Sequence, residues 1–116
     1  AGVVCLVLGG DRNLAMENAS ATWLRRCSFR PYNRGIIEND RYHYGSFYMS
    51  QAAFLLGGDT WKQVYGGLTD VFLEEQNRDG SWNLDSVDPQ FGKTYTTSLA
   101  VLALTPPYQL LPIYQR

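Results

Sequence analysis

Three stretches of the chain are apolar with almost no charge: Ala1 to Leu8, Tyr44 to Leu56 and Tyr95 to Leu104. Between the second and third lies a longer stretch, Thr60 to Gln76. There Trp61, Val64, Tyr65, Leu68, Val71 and Phe72 follow i, i+3, i+4, i+7 spacing, and Lys62, Asp70, Glu74 and Glu75 lie off that stripe. This spacing predicts an amphipathic helix. The short stretches predict helices without a polar face, buried on all sides or turned toward a protected cavity. Thr60 with Gln63 three residues on matches a capping box. Asp11 and Asp59 stand where a helix start favours an anion. Gly9-Gly10 and Gly57-Gly58 follow the first two apolar stretches and predict left-handed backbone at their ends. No stretch alternates in the manner of a strand. Phe29 to Asn39 and Asn77 to Gly92 read as loops bearing Pro and Gly. Pro106 to Arg116 holds three prolines. It predicts an extended tail whose Tyr108, Leu110, Leu111, Ile113 and Tyr114 lie against the domain.

The pattern repeats. Leu8-Gly9-Gly10-Asp11 returns 48 residues later as Leu56-Gly57-Gly58-Asp59, and Trp23-Leu24 falls on Val71-Phe72 at the same offset. Ala52 to Leu56 falls on Ala100 to Leu104, where Thr105-Pro106 replaces the two glycines. The chain therefore reads as all-α, with about two and a half helical hairpins of period 48. The units run roughly 1–48, 49–96 and 97–105, followed by the tail 106–116. Short apolar helices alternating with long amphipathic ones suggest an inner and an outer layer. Curled round, that is an α/α toroid; left open, it is an α-solenoid. Ala1 falls inside the first helix of a unit, so the chain is expected to be a fragment of a larger toroid.

The join after the second hairpin, Gln76-Asn77-Arg78-Asp79-Gly80-Ser81-Trp82, is the most specific motif. It resembles the Gln–Trp repeat of the terpene cyclase and protein prenyltransferase superfamily, known as the prenyltransferase and squalene oxidase repeat. Gln76, Gly80 and Trp82 match that pattern. Val71-Phe72 inverts its aromatic–aliphatic pair, and the preceding unit keeps Trp23-Leu24 but has Ser28 in place of Gln. The resemblance implies an α/α toroid of concentric helices. The residues themselves imply a structural joint. A Gln ending an outer helix can bond backbone groups unpaired at the next helix start. Asp79-Gly80 permits a tight turn, and Trp82 can stack on the Gln amide. No catalytic residue carries over from the family. The Asp-x-Asp-Asp cluster of the cyclases that work by protonation is absent, with Asp79, Asp85 and Asp88 dispersed through a loop. The zinc ligands of the transferases and the Gly-Cys-Gly-Glu-Gln motif of complement-like thioester domains are absent too. No cofactor and no metal are expected.

Composition narrows the partners. The chain has 10 Lys plus Arg against 11 Asp plus Glu, which leaves no general basic field for nucleic acid. Its first apolar run is too short to span a bilayer. Charge is uneven: Asp11 to Arg41 has six Arg against four acids, and Asp59 to Asp88 has seven acids against two bases. Arg25, Arg26, Arg30 and Arg34 read as a solvated outer face, or as a basic edge meeting the acids of a neighbouring repeat. Cys5 and Cys27 fall on the two helices of one hairpin at different heights. They are expected to stay unpaired as small buried apolar residues.

Chemistry concentrates between Glu38 and Tyr48. His43 is the one group with an ordinary pKa near neutrality, and Glu38, Asn39 and Asp40 stand where caps would. Tyr42, His43, Tyr44, Phe47, Tyr48 and Tyr95 sit on or near inner helices and form a candidate pocket set, apolar and aromatic enough for a greasy small molecule. Core packing accounts for the same residues. The expected function is a terpene-cyclase-like repeat fragment serving as scaffold or binding module. Its expected partners are the rest of a parent protein, or further copies through exposed repeat faces. The alternative is part of an enzyme (polyprenyl cyclase, prenyltransferase-like, or polysaccharide lyase) whose site is completed by other repeats.

Overall fold

The computed structural model describes residues 1–10, 13–33, 41–110 and 112. They form five α-helices: α1 (Gly2–Leu8), α2 (Leu14–Leu24), α3 (Tyr42–Leu56), α4 (Gly58–Glu74) and α5 (Gly92–Leu104). Short 3-10 turns occupy Pro89–Phe91 and Pro106–Tyr108, and no strand occurs among the described residues. The expected all-α class is the one observed. α1, α3 and α5 end at Leu8, Leu56 and Leu104, at the 48-residue interval read from the sequence.

α3 is the central helix. It packs against α5 and α4, and on other sides against α1 and α2. Small buried side chains occur on both helices, Ser50 and Ala53 on α3 and Ala100 and Ala103 on α5, and Ser50 reaches the backbone of Ala103, so the two backbones approach closely. α4 behaves as its stripe predicts. Val64, Leu68, Val71 and Phe72 are buried, and Trp61 and Tyr65 are partly buried against the same core. Leu24, Phe29 and Trp82 complete that core.

The other short apolar helices are not alike. α5 is buried through Thr96, Ala100 and Ala103. α1 has no buried residue: Cys5 and Leu8 are exposed, and only one side, with Val3 and Val4, reaches the core. The expectation that every apolar helix is buried fails at α1 because it packs chiefly on one neighbour, α3. Cys5 is accordingly exposed rather than buried, and Cys27 is half-buried with its thiol donating to the Trp23 carbonyl at 3.5 Å. Both thiols are free, as expected.

The capping box at Thr60 is replaced by another arrangement. α4 starts two residues earlier, at Gly58, behind Gly57 with φ 69°. Thr60 is buried inside its first turn, and Gln63 donates instead to the Arg25 carbonyl at 3.1 Å, tying α4 to the end of α2. The predicted tail begins as a 3-10 turn with Pro106 buried, while Tyr108 and Leu110 are exposed. Leu111, Ile113 and Tyr114 lie outside the described residues, as do Asp11, Arg34, Glu38, Asn39 and Asp40.

The end of α5 shows how helices depend on one another here. An α-helix leaves its last carbonyls without partners, and Pro106-Pro107 brings no N–H to close them. Side chains from other helices do so. Ser50 donates to the Ala103 carbonyl at 2.6 Å and Gln51 to the Leu102 carbonyl at 3.2 Å, both from α3. Tyr65 of α4 donates to the Leu104 carbonyl at 2.8 Å. Ser50→Ala leaves the buried Ala103 carbonyl unpaired. We expect it to lower unfolding free energy by about 1–3 kcal/mol in urea titration; a loss within experimental error would show that the bond contributes nothing net.

Candidate functional site

Two assemblies gather the chemistry of this molecule, one inside the core and one on its surface. The inner one is a chain of three side chains. His43, in the first turn of α3, is fully buried. Its Nδ1 lies 3.1 Å from Asp85 Oδ2, and its Nε2 lies 2.9 Å from the Tyr32 hydroxyl. A carboxylate only accepts, so Nδ1 carries the proton and Nε2 accepts from Tyr32. Asp85, itself 1% exposed, also takes the backbone N–H of His43 on Oδ2 at 3.5 Å, and those of Val87 and Asp88 on Oδ1 at 3.0 and 3.3 Å. The carboxylate thus lies at the N-terminus of α3, whose own N-cap, Arg41, supplies no side-chain bond. Asn33 clamps the same loop, donating to the Leu84 carbonyl at 2.7 Å and accepting from the Ser86 N–H at 3.0 Å.

The electrostatics follow from burial. Burial pushes the His43 imidazolium pKa down, and the bond and charge of Asp85 oppose it only in part. Burial pushes the Asp85 carboxyl up, yet the bonds from His43 and from the backbone N–H groups of Val87, Asp88 and His43 outweigh it. They hold the group below the ordinary carboxylate value. Burial, with the charges of Glu75 and Asp85, pushes the Tyr32 phenol well up. The neighbouring Asp88 carboxylate is paired with Arg41 at 2.6 Å.

The outer assembly is a cleft of about 600 Å³ between α1, α2 and α3. Tyr42, Tyr44, Gly45, Tyr48 and Met49 of α3 form one wall; Trp23 and Leu24 of α2, with Cys27 and Phe29 of the segment that follows it, form another. Tyr44 and Tyr48 pair with ring centroids 4.8 Å apart. A bond and charge from Tyr44 raise the Tyr48 phenol pKa. Tyr42 is anchored by its hydroxyl, which donates to the Phe29 carbonyl at 2.8 Å. Arg30 also lines the cleft and is ion-paired with Glu74 of α4.

The six residues of the expected pocket set are therefore divided. Tyr42, Tyr44 and Tyr48 line the cleft. His43 turns into the core, Phe47 packs half-buried beside Tyr48, and Tyr95 of α5 is not in the cleft lining and pairs with Phe91 at 5.0 Å. Tyr32 and Asp85 were missed as partners of His43. The signals were thin: Asp85 and Asp88 precede Pro89 in a loop, the pattern of side chains that bond local N–H groups. The three aspartates that looked dispersed have separate tasks. Asp79 accepts from the Ser81 N–H and hydroxyl at 3.0 and 2.6 Å, Asp85 holds His43, and Asp88 pairs with Arg41.

The Gln76–Trp82 motif is a joint, with bonds other than those expected. Gln76 is exposed and donates to the Gly80 carbonyl within its own turn at 3.0 Å, not to the start of α5. Gly80 has φ 83°, a conformation that favours glycine. Trp82 is 2% exposed and its indole N–H closes the end of α4 on the Phe72 carbonyl at 2.9 Å. No group of three or more His, Cys, Asp or Glu among the described residues could hold a metal, and no described helix is long and apolar enough to cross a membrane. Comparison with protein-family models, with curated proteins and with solved structures finds no match to this chain.

The buried pair sets a pH dependence. His43 titrates lower in the folded chain than its ordinary 6.5, so the unfolded chain binds the extra proton first. Its contribution is complete above pH 6.5 and lost as pH falls below it. Asp85 adds a second loss as pH falls below its ordinary 3.8. Urea midpoints should therefore decline from pH 7 to 5, and His43→Gln should flatten that part of the profile. An unchanged slope in the variant would mean that other groups set it.

Proposed function

We propose that this chain is a terpene-cyclase-like helical repeat unit of α/α-toroid type, acting as a scaffold and binding module that takes an apolar small molecule in the α1–α2–α3 cleft. The observation that carries the reading is the cleft itself. Its 600 Å³ falls within the range of small-molecule sites, and its walls are aromatic and aliphatic. Phenol and indole faces take up greasy surface by desolvation and dispersion, which is binding chemistry. The 48-residue interval between helix ends and the Gln76–Trp82 joint support the repeat assignment. In this reading the exposed Leu8, Leu14 and Met16 of α1 and α2 meet a neighbouring repeat or a second copy.

Gly45 provides the test. It lines the cleft from within α3, and a Cβ there meets nothing within 4 Å. Gly45→Leu therefore puts a side chain into the cleft while improving helix propensity by up to about 1 kcal/mol. We expect the uncharged dye Nile red to brighten on binding the unaltered chain. In Gly45→Leu its affinity should fall about tenfold, with an equal or higher melting temperature. Equal dye binding by a folded Gly45→Leu would reject the cleft as the ligand site.

A further inference from the structure

We infer that the cleft is built for an amphipathic monocarboxylate, a long-chain acid whose hydrocarbon lies between α2 and α3 and whose head is taken by Arg30 in place of Glu74. This rests on the binding reading above and adds the class of ligand. Among the described lining residues Arg30, the residue after Phe29, is the charged side chain in an otherwise apolar and hydroxyl-bearing lining. Its guanidinium already holds a carboxylate, that of Glu74. A planar guanidinium fork matches a carboxylate through paired N–H donors, so the group held now is the group such a ligand presents. The internal pair is replaceable. The two side chains are 58% and 57% exposed, and an ion pair in that setting contributes little net stability.

The surrounding charge selects the head further. Glu74, Glu75 and Asp70 all act on Arg30. A singly charged carboxylate that displaces Glu74 meets the three acids, the displaced one included, with one charge. A phosphate meets them with nearly two and is repelled more strongly. An uncharged alcohol of the same chain length fills the cleft but leaves Arg30 with Glu74.

The test uses the full chain with Nile red bound and three competitors of equal chain length: dodecanoate, dodecanol and dodecyl phosphate. Dodecanoate should displace the dye at a concentration about tenfold below that of dodecanol, with dodecyl phosphate weaker than dodecanoate. Arg30→Gln should bring the acid to the level of the alcohol. Glu74→Gln removes the internal competitor while keeping Arg30, and should strengthen dodecanoate about threefold or more; this arm stands even if Arg30→Gln fails to fold. Equal displacement by acid and alcohol, a phosphate stronger than the acid, or weaker acid binding in Glu74→Gln would each overturn the inference while leaving the cleft as an apolar site. Failure of the dye and all three competitors to bind would remove the cleft reading and this inference together.

Discussion

A buried carboxylate holds this fold in register. Asp85 has lost its water, and a charge in that position is tolerated only when its oxygens are filled with donors. The donors come from two distant parts of the chain: the ring and backbone of His43, and the backbone of Val87 and Asp88. Satisfying one group therefore fixes where α3 begins and how the loop after Trp82 is shaped. Tyr32 extends the same chain to the segment following α2. Removing any member leaves a polar group stranded in the core beside Phe72, whose ring stacks on His43 at 6.2 Å between centroids.

The same logic recurs at the helix ends. α3 starts on Asp85, α4 ends on Trp82, and α5 ends on Ser50, Gln51 and Tyr65. Each closure is made by a residue of another element, so the helices are satisfied as a set. That coupling has a consequence for the surface. With one face of α3 committed to α4, α5 and the Asp85 loop, its other face is held rigidly. Tyr42, Gly45, Tyr48 and Met49 on that face form a standing wall opposite α2. Binding surface that is already in place loses less freedom on taking a ligand.

The elements of this chain are more legible in its sequence than their environments. The stripe of α4 and the 48-residue interval between helix ends were legible, because both follow from the geometry of 3.6 residues per turn. The candidate residues from Tyr42 to Tyr48 were legible as a cluster but not as a division. Successive residues of a helix point about 100° apart, so His43 and Tyr44 leave α3 on different sides whatever their chemistry. Which side met the core and which the cleft depended on where α2, α4 and α5 came to lie. The apolar character of α1 predicted burial, but apolar composition states a preference and cannot supply the neighbours.

Local pattern was enough to determine that this chain is helical, where its amphipathic helix has its buried stripe, and that Gln76 to Trp82 is a turn. These follow from backbone geometry and side-chain periodicity within a few residues. Only the tertiary structure decided that Asp85 serves His43 across 42 residues, that Ser50 and Gln51 of an apolar helix close α5, and that Arg30 meets Glu74. A buried hydrogen-bonding group must find a partner, but nothing in its own neighbourhood names that partner. Packing brings the two together, and the cleft is formed on the face of α3 that those bonds leave open.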